Sequence, residues 1–171
     1  MQAAIIFFIE NFTLSFFLLS LIFGTASILC CKNQLSKVII IDKLFAYFLL
    51  FNIGFSYLYN FMMHVFFGNI AAAFIGWSPS PFQLEVGFAS LGFGVIGIIS
   101  FWSSIGFRAA TMIAPALFLW GAAGGHIYQM ITADNFSAGN AGIIFYSDLL
   151  IPIFGFILLY LQYANSSAKP R

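Results

Sequence analysis

Charged residues are scarce in this chain. Asp, Glu, Lys and Arg make up 6% of its 171 residues, whereas a typical soluble domain contains about 25%. Hydrophobic residues reach 62%, which leaves too little polar surface for a water-soluble protein. The formal net charge of +1 gives no reason to expect nucleic acid or an acidic substrate as a partner. Composition therefore excludes a soluble globular domain and predicts a membrane protein whose main partner is the lipid bilayer.

Cysteine is also scarce, and the two that occur, Cys30 and Cys31, are adjacent. Neighbouring cysteines rarely form a disulfide because the required geometry is strained. No C-x-x-C spacing exists, which excludes a thioredoxin-like redox motif and a zinc ribbon. We expect two reduced thiols. Lipid attachment is the alternative, because both lie at the membrane end of an apolar run.

Five long apolar runs divide the chain, at about residues 4–30, 44–67, 81–102, 109–132 and 143–163. Each is long enough to cross a bilayer as a helix. We therefore predict an all-α fold: one transmembrane domain over residues 1–171, built as a polytopic bundle of five spans. The first run carries Glu10 and no basic segment precedes it. We expect it to be a retained span and not a cleaved signal peptide.

The basic residues all fall on one side of the membrane that these runs define. They are Lys32, Lys37, Lys43, Arg108, Lys169 and Arg171. Basic loops are retained on the cytoplasmic side during insertion. The pattern predicts an N-terminus outside and a C-terminus in the cytoplasm, and the short loops favour the inner membrane of a bacterium.

Polar residues recur at every fourth position of the second run: Asn52, Ser56, Asn60 and His64. Such a stripe cannot face lipid, so it predicts either hydrogen bonds between helices or a wet cavity. The connection that follows contains an apolar segment, 69–77, which predicts a short helix in the membrane interface or a partly re-entrant segment. Ser80 is predicted to cap the third span by accepting a hydrogen bond from the Gln83 backbone N–H.

Five ionisable residues, one from each span, lie at a similar predicted depth: four at about 5–9 Å below the outer boundary, and Glu85 level with them or slightly shallower. They are Glu10, His64, Glu85, His126 and Asp148. Ionisable groups inside a membrane are costly and are commonly functional. We expect Glu85, His126 and Asp148 to converge, with His64 and Glu10 near them. Asn60, Gln83 and Gln129 lie on neighbouring faces and complete the candidate ligand-binding set.

Histidines and carboxylates are ligands for divalent Zn, Mn or Fe. His64, His126, Glu85 and Asp148 are therefore candidate metal ligands, assembled across helices because no H-E-x-x-H, H-x-x-x-H or E-x-x-H spacing occurs within one run. The same residues suit acid–base chemistry. A purely structural polar core remains the third interpretation.

Four segments occur together in the C-terminal two-thirds of the chain: 77–87, 125–129, 139–142 and Asp148. In combination their pattern, W-S-P-x-P-F-Q-x-E-x-G, G-H-x-Y-Q, G-N-A-G and a later Asp, resembles an uncharacterised bacterial family of small integral membrane proteins. The chain is more loosely similar to DoxX-like membrane proteins. The resemblance implies that Gln83, Glu85, His126, Asn140 and Asp148 belong to the family pattern, and it implies no substrate.

Two functions fit these observations. The first is an inner-membrane protein whose buried polar site, in the outer half of the bilayer, binds a metal ion or a small polar ligand. It would serve transport, redox or the chemistry of a lipid-soluble substrate. The second is a non-catalytic accessory subunit that packs against other membrane subunits, or against copies of itself, through an exterior rich in the 24 Phe residues.

Overall fold

The computed structural model describes residues 2–31 and 35–166, apart from the side chains of residues 3–5 and 166, and every regular element in this part of the chain is a helix. The predicted all-α fold is confirmed. Lys32, Lys169 and Arg171 lie outside the described residues. The elements are α1 (Gln2–Glu10), α2 (Phe12–Cys30), α3 (Lys37–Phe48), a π-helix (Leu49–Phe55), α4 (Ser56–Phe66), α5 (Gly68–Ile75), α6 (Phe82–Ser100), α7 (Ile105–Ala133), α8 (Ala138–Ala141) and α9 (Ile143–Ser166).

Five helical stretches are long and apolar enough to cross a membrane, as predicted. They are Phe12–Cys30, Lys37–Phe66, Phe82–Ser100, Ile105–Ala133 and Ala138–Asn165. Two of these stretches begin furthest from the predicted start of the apolar run. The first stretch begins later than residue 4 because the chain turns at Asn11, between α1 and α2. The second begins earlier than residue 44 because the Ser36 side chain caps α3 by accepting from the Ile39 N–H at 3.3 Å.

The bundle packs around the second stretch. α6 lies along α4 and the π-helix, α7 packs against α9, and α2 packs against α3. The apolar core consists of Phe45, Phe48, Leu49, Ile53, Tyr57, Met112 and Ile151. Exposed Leu, Ile and Phe side chains cover the outside of the bundle, as expected for helices that face lipid.

A close helix crossing joins the π-helix to α6. A Cβ added to Gly97 would come within 2.7 Å of the Ile53 carbonyl carbon and 2.8 Å of the Gly54 Cα. Only glycine at position 97 therefore lets the two backbones approach so closely. Asn52 is buried in the same π-helix, where its Nδ2 donates to the Phe48 carbonyl at 3.1 Å.

The segment after α4 forms a short helix, as predicted. The apolar segment 69–77 forms most of α5, and Gly76 ends that helix with a left-handed φ of 76°. The predicted capping bond of Ser80 was wrong in detail: its Oγ accepts from the Phe82 N–H at 3.3 Å, while the Gln83 N–H donates to the Ser80 carbonyl at 3.1 Å. The backbone turns more tightly than in a capping box, so α6 begins at Phe82.

Arg108 is buried at the end of the bundle opposite the connection between α4 and α6. In the sequence it served only as a marker of orientation. Its side chain is 5% exposed and contacts the Asp42 carboxylate at 2.7 Å. The guanidinium also donates to the carbonyls of Ser100 and Phe101 at 3.1 and 2.9 Å. Gln162 donates to the same Asp42 oxygen at 2.8 Å. This cluster joins α3, α6, α7 and α9.

Candidate functional site

The candidate site lies where α5, α7, α8 and α9 meet, and the loop after α7 holds it together. Asp134 ends α7 with a left-handed φ of 51°. Asn135 then reaches back to α5, donating from Nδ2 to the carbonyls of Ile75 and Gly76 at 3.0 and 3.2 Å. The Ser137 hydroxyl also donates to the Ile75 carbonyl. These bonds fix the short helix α8 against the end of α5.

Asn140, on α8, is the centre of the site and is fully buried. Its Nδ2 donates to the carbonyls of Asn135 and His126 at 2.9 and 3.2 Å. Its Oδ1 accepts from the indole Nε1–H of Trp77 at 3.1 Å. A carbonyl can only accept and an indole N–H can only donate. Three independent partners therefore fix which end of the amide is oxygen.

The orientation of Asn140 fixes the tautomer of His126. The imidazole Nδ1 lies 2.8 Å from the Asn140 Oδ1. Because that oxygen is an acceptor, Nδ1 must carry a hydrogen. The other ring nitrogen, Nε2, lies 3.5 Å from Oδ2 of Asp148. The Trp77 ring packs beside the imidazole, with the two centroids 5.5 Å apart.

His126 Nε2 and Asp148 Oδ2 face each other and need a proton between them. His126 and Asp148 are only 5% and 4% exposed, and the structure gives Asp148 no other hydrogen-bond donor among the described residues. A neutral Nε2 and an ionised carboxylate would both present lone pairs, which leaves a buried charge without a donor. The pair is therefore either imidazolium with carboxylate or imidazole with carboxylic acid. Each form holds one proton between Nε2 and Oδ2.

Asp148 is placed on α9 one turn before Pro152. Proline has no N–H, so the backbone carbonyl of Asp148 lacks its usual helical donor. The Asp148 side chain is 6% exposed, and α9 packs against both α7 and α3. Asp148 thus faces the core, between α7 and the second span.

The expected convergence of Glu85 with His126 and Asp148 was wrong. Glu85 is exposed in the first turn of α6. At about 100° of helical rotation per residue it lies about 160–180° from Gly87 and Gly94, which mark the buried face. Glu10 is also exposed, at the end of α1.

The predicted four-residue metal site is not assembled. In residues 2–31 and 35–166, no group of three or more His, Cys, Asp and Glu side chains could hold a metal ion. His126 and Asp148 are brought together, whereas Glu85 is turned away from them.

The remaining candidate residues lie elsewhere. The His64 Nδ1 contacts Gln83 Oε1 at 3.1 Å, between α4 and the start of α6. Asn60 donates to the Ser90 hydroxyl at 2.9 Å and so links α4 to α6. Gln129 is half-buried on α7. Asn60 thus follows the interpretation of the polar stripe as hydrogen bonding between helices.

Sequence reasoning did not place Trp77, Asn135, Ser137 or Asn140 in the site. Helical periodicity could not find them, because all four lie in or beside connections between the long helices. The one available signal for Asn140 was the G-N-A-G segment, since a buried asparagine between glycines allows close backbone packing. A Cβ on Gly139 would indeed lie 2.7 Å from the Phe74 carbonyl oxygen.

The described residues thus define a class: an all-helical bundle with five helices long and apolar enough to cross a membrane, enclosing a buried polar site. A family of unknown function, DUF6790, matches residues 10–168, and the chain belongs to this family. Searches of the curated proteins and of the solved structures each found no match.

Proposed function

We propose that this protein is a membrane-embedded proton-binding protein. In this proposal the His126–Asp148 pair takes up or releases one proton when a small polar ligand or lipid-soluble substrate is transported or transformed. The single observation that carries the proposal is the orientation of Asn140. It holds Nδ1 protonated and therefore turns the proton-exchanging atom, Nε2, toward the Asp148 carboxylate.

The position of the pair supports a role beyond packing. An ionisable pair inside the hydrocarbon region is costly to maintain, and such groups commonly serve proton relays and substrate pathways. His126 is on α7 and Asp148 is on α9, so the proton is shared across a helix–helix contact. A small separation of these helices would break the contact and expose Nε2 to a ligand. Proton binding and helix movement would then be linked.

A divalent metal is supported less well. A metal-binding histidine usually donates its second ring N–H to a neighbouring acceptor, and His126 does so toward Asn140. However, His126 and Asp148 supply two ligands, whereas protein zinc sites use three or four. A metal bound here would need its remaining ligands from substrate or water.

The membrane and orientation belong to the same proposal. The basic residues described in the structure, Lys37, Lys43 and Arg108, lie at the same end of the bundle as the Asp42 cluster, and the His126 site lies at the other end. This distribution supports a bacterial inner-membrane protein with its N-terminus outside, its C-terminus in the cytoplasm and the proton site in the outer half.

The test is solid-state NMR of ¹⁵N-histidine in lipid bilayers. The chain contains 2 His, so the variant His64→Gln leaves His126 as the only imidazole. We expect a protonated Nδ1 between about pH 5 and pH 9. Nε2 should exchange its proton within this range, in the open form in which α7 and α9 separate and the contact with Asp148 is broken. Infrared absorption of the Asp148 carboxyl group should change over the same range. An imidazole protonated on Nε2 alone would contradict the assignment.

The same measurement addresses the accessory-subunit alternative. The specific observation that favours this alternative is that both ends of the Asn140 amide are fully hydrogen-bonded, as in a structural lock. If the His126–Asp148 pair is only structural, it keeps its shared proton throughout the pH range, and the ¹⁵N signals of His126 stay constant. Constant signals, together with stoichiometric co-purifying subunits, would therefore reject the proton-exchange proposal and support the accessory subunit.

A further inference from the structure

An open cleft lies between the end of α4, the start of α5 and the first turn of α6. We propose that it binds the head of a neutral, lipid-soluble molecule that carries a carbonyl or hydroxyl group. Its volume is about 650 Å³, enough for a ring or a small head group. None of its lining residues belongs to the His126–Asp148 pair, so this is a second site.

The polar side chains that line the cleft are His64, Asn69, Ser80 and Gln83, and the proposal rests on the two that contact each other, His64 and Gln83. Their side chains meet at 3.1 Å, from Nδ1 to Oε1, which occupies one ring nitrogen and leaves Nε2 for another partner. His64 is half-buried, so it is held in place and still reachable. Gly68 borders the same contact: a Cβ there would lie 3.4 Å from the Gln83 Oε1.

The charge of the lining selects a neutral ligand. The cleft is lined by residues 64–70, 79–81, 83 and 84, and none of them is Asp, Glu, Lys or Arg. A charged head group would lose water here without meeting an opposite charge. A carbonyl or hydroxyl group needs only one or two hydrogen bonds, and an imidazole together with an amide supplies both donor and acceptor capacity.

The apolar part of the cleft selects a molecule with a hydrocarbon tail. Phe66, Ile70 and Leu84 border it and are 62%, 60% and 50% exposed. They stand at the point where one membrane helix ends and the next begins. A ligand that enters from lipid can therefore place its tail against these side chains while its head reaches His64.

Binding can be measured on the full chain in nanodiscs of zwitterionic lipid. The probe is a short-chain ubiquinone, which carries ring carbonyls and quenches tryptophan fluorescence. A long-chain monoacylglycerol, added as a competitor, tests whether a lipid with a hydroxyl head group binds in the same cleft. We expect saturable quenching by the quinone. His64→Leu and Gln83→Leu should each weaken binding by about tenfold, as for the loss of one hydrogen bond.

The matched control is Thr132→Val, since Thr132 is exposed on α7 and its hydroxyl bonds only to the Tyr128 carbonyl of its own helix. It should bind like the wild type. Gly68→Leu fills the cleft and should abolish binding, and the unchanged ¹⁵N signals of His126 show that each variant is folded. If the monoacylglycerol competes with the quinone, the cleft also binds lipids with a hydroxyl head group. If it does not compete, the ligand is a molecule with a carbonyl head group.

Three results would overturn the inference. They are the absence of saturable quinone binding to the wild type, equal affinity in the folded His64 and Gln83 variants, and equal competition by a decylbenzene that lacks a polar head. All three concern His64, so they leave the proton proposal for His126 and Asp148 untouched.

Discussion

Trp77 and His126 donate hydrogen bonds to the same oxygen atom, Oδ1 of Asn140, at 3.1 and 2.8 Å. Trp77 lies just after the end of α5, and His126 lies in the C-terminal third of α7. Because both N–H groups donate to the same oxygen, removing the indole donor must change the hydrogen bond of the imidazole Nδ1–H. This relationship makes Trp77 a positioning residue for His126.

Trp77→Phe should keep the ring packing and remove the shared donor. We expect a loss of about 1 kcal/mol in the free energy of unfolding and a shift in the ¹⁵N signal of the His126 Nδ1, which becomes the sole side-chain donor to Asn140. The matched control is Trp102→Phe, because Trp102 is 76% exposed. Identical His126 signals in the two variants would contradict the shared-acceptor geometry.

Asn140→Leu should disturb the site most strongly. It removes the acceptor for two N–H groups and the donor to two carbonyls, all in a fully buried position. We expect a loss of about 2–4 kcal/mol in thermal unfolding measured in detergent. Asn165→Leu is the control, since Asn165 bonds only to the Leu161 carbonyl of its own helix, and it should cost far less. Equal effects of the two changes would contradict a central role for Asn140.

Asp148→Asn should remove the shared proton while preserving the shape of the side chain. The asparagine Nδ2 can donate to Nε2, so His126 is expected to stay neutral with its hydrogen on Nδ1 at all measured pH values. The ¹⁵N signals should then lose the pH response of the wild type. Asp134→Asn is the control: Asp134 is exposed, and asparagine tolerates its left-handed φ of 51°. A pH response that survives Asp148→Asn would assign the proton to another group.

The fold could be predicted from sequence further than the site could. Five apolar runs, each about the length of a bilayer crossing, leave few alternatives to five helices, because lipid supplies no partner for an unpaired backbone group. The boundaries depended on local features that hydropathy does not report. The turn at Asn11 and the cap at Ser36 are examples.

The site was predicted only in part. The depth of a residue follows from counting along the helix, but the direction that its side chain faces depends on how the helix packs. His126 and Asp148 shared both depth and facing direction, and they meet. Glu85 lay at a suitable predicted depth but on the outer face of α6. The residues that orient His126 lie in or beside loops, where neither depth nor facing direction can be counted along a helix. Arg108 was missed as a buried group because a lone arginine at a helix end usually remains in water.

Gly97→Ala should separate the π-helix from α6. The added Cβ would overlap the backbone of Ile53 and Gly54, and such overpacking costs about 1–3 kcal/mol. Gly92→Ala, on the same helix, is the matched control. Its Cβ would meet nothing within 4 Å, so the gain in helix propensity, about 1 kcal/mol, should be kept. Thermal unfolding that ranks the two variants in the opposite order would contradict the close crossing.

Arg108→Lys tests the cluster at the other end of the bundle. The guanidinium binds three oxygens at once, on Asp42, Ser100 and Phe101. Lysine has a single ammonium group, which cannot reproduce this planar arrangement of donors. It should keep the Asp42 contact and lose at least one of the two contacts to the carbonyls of Ser100 and Phe101. We expect a loss of about 1–3 kcal/mol in the free energy of unfolding.

The control for that change is Asp42→Asn, which retains an oxygen acceptor for the guanidinium. The Asp42 side chain is 44% exposed, so water offsets much of its lost charge, and a partly exposed ion pair contributes little. We therefore expect Asp42→Asn to destabilise the protein less than Arg108→Lys. If the two variants unfold in the reverse order, the ion pair and not the carbonyl contacts holds the cluster. The buried arginine would then be a partner of Asp42 alone and not a link between α6 and α7.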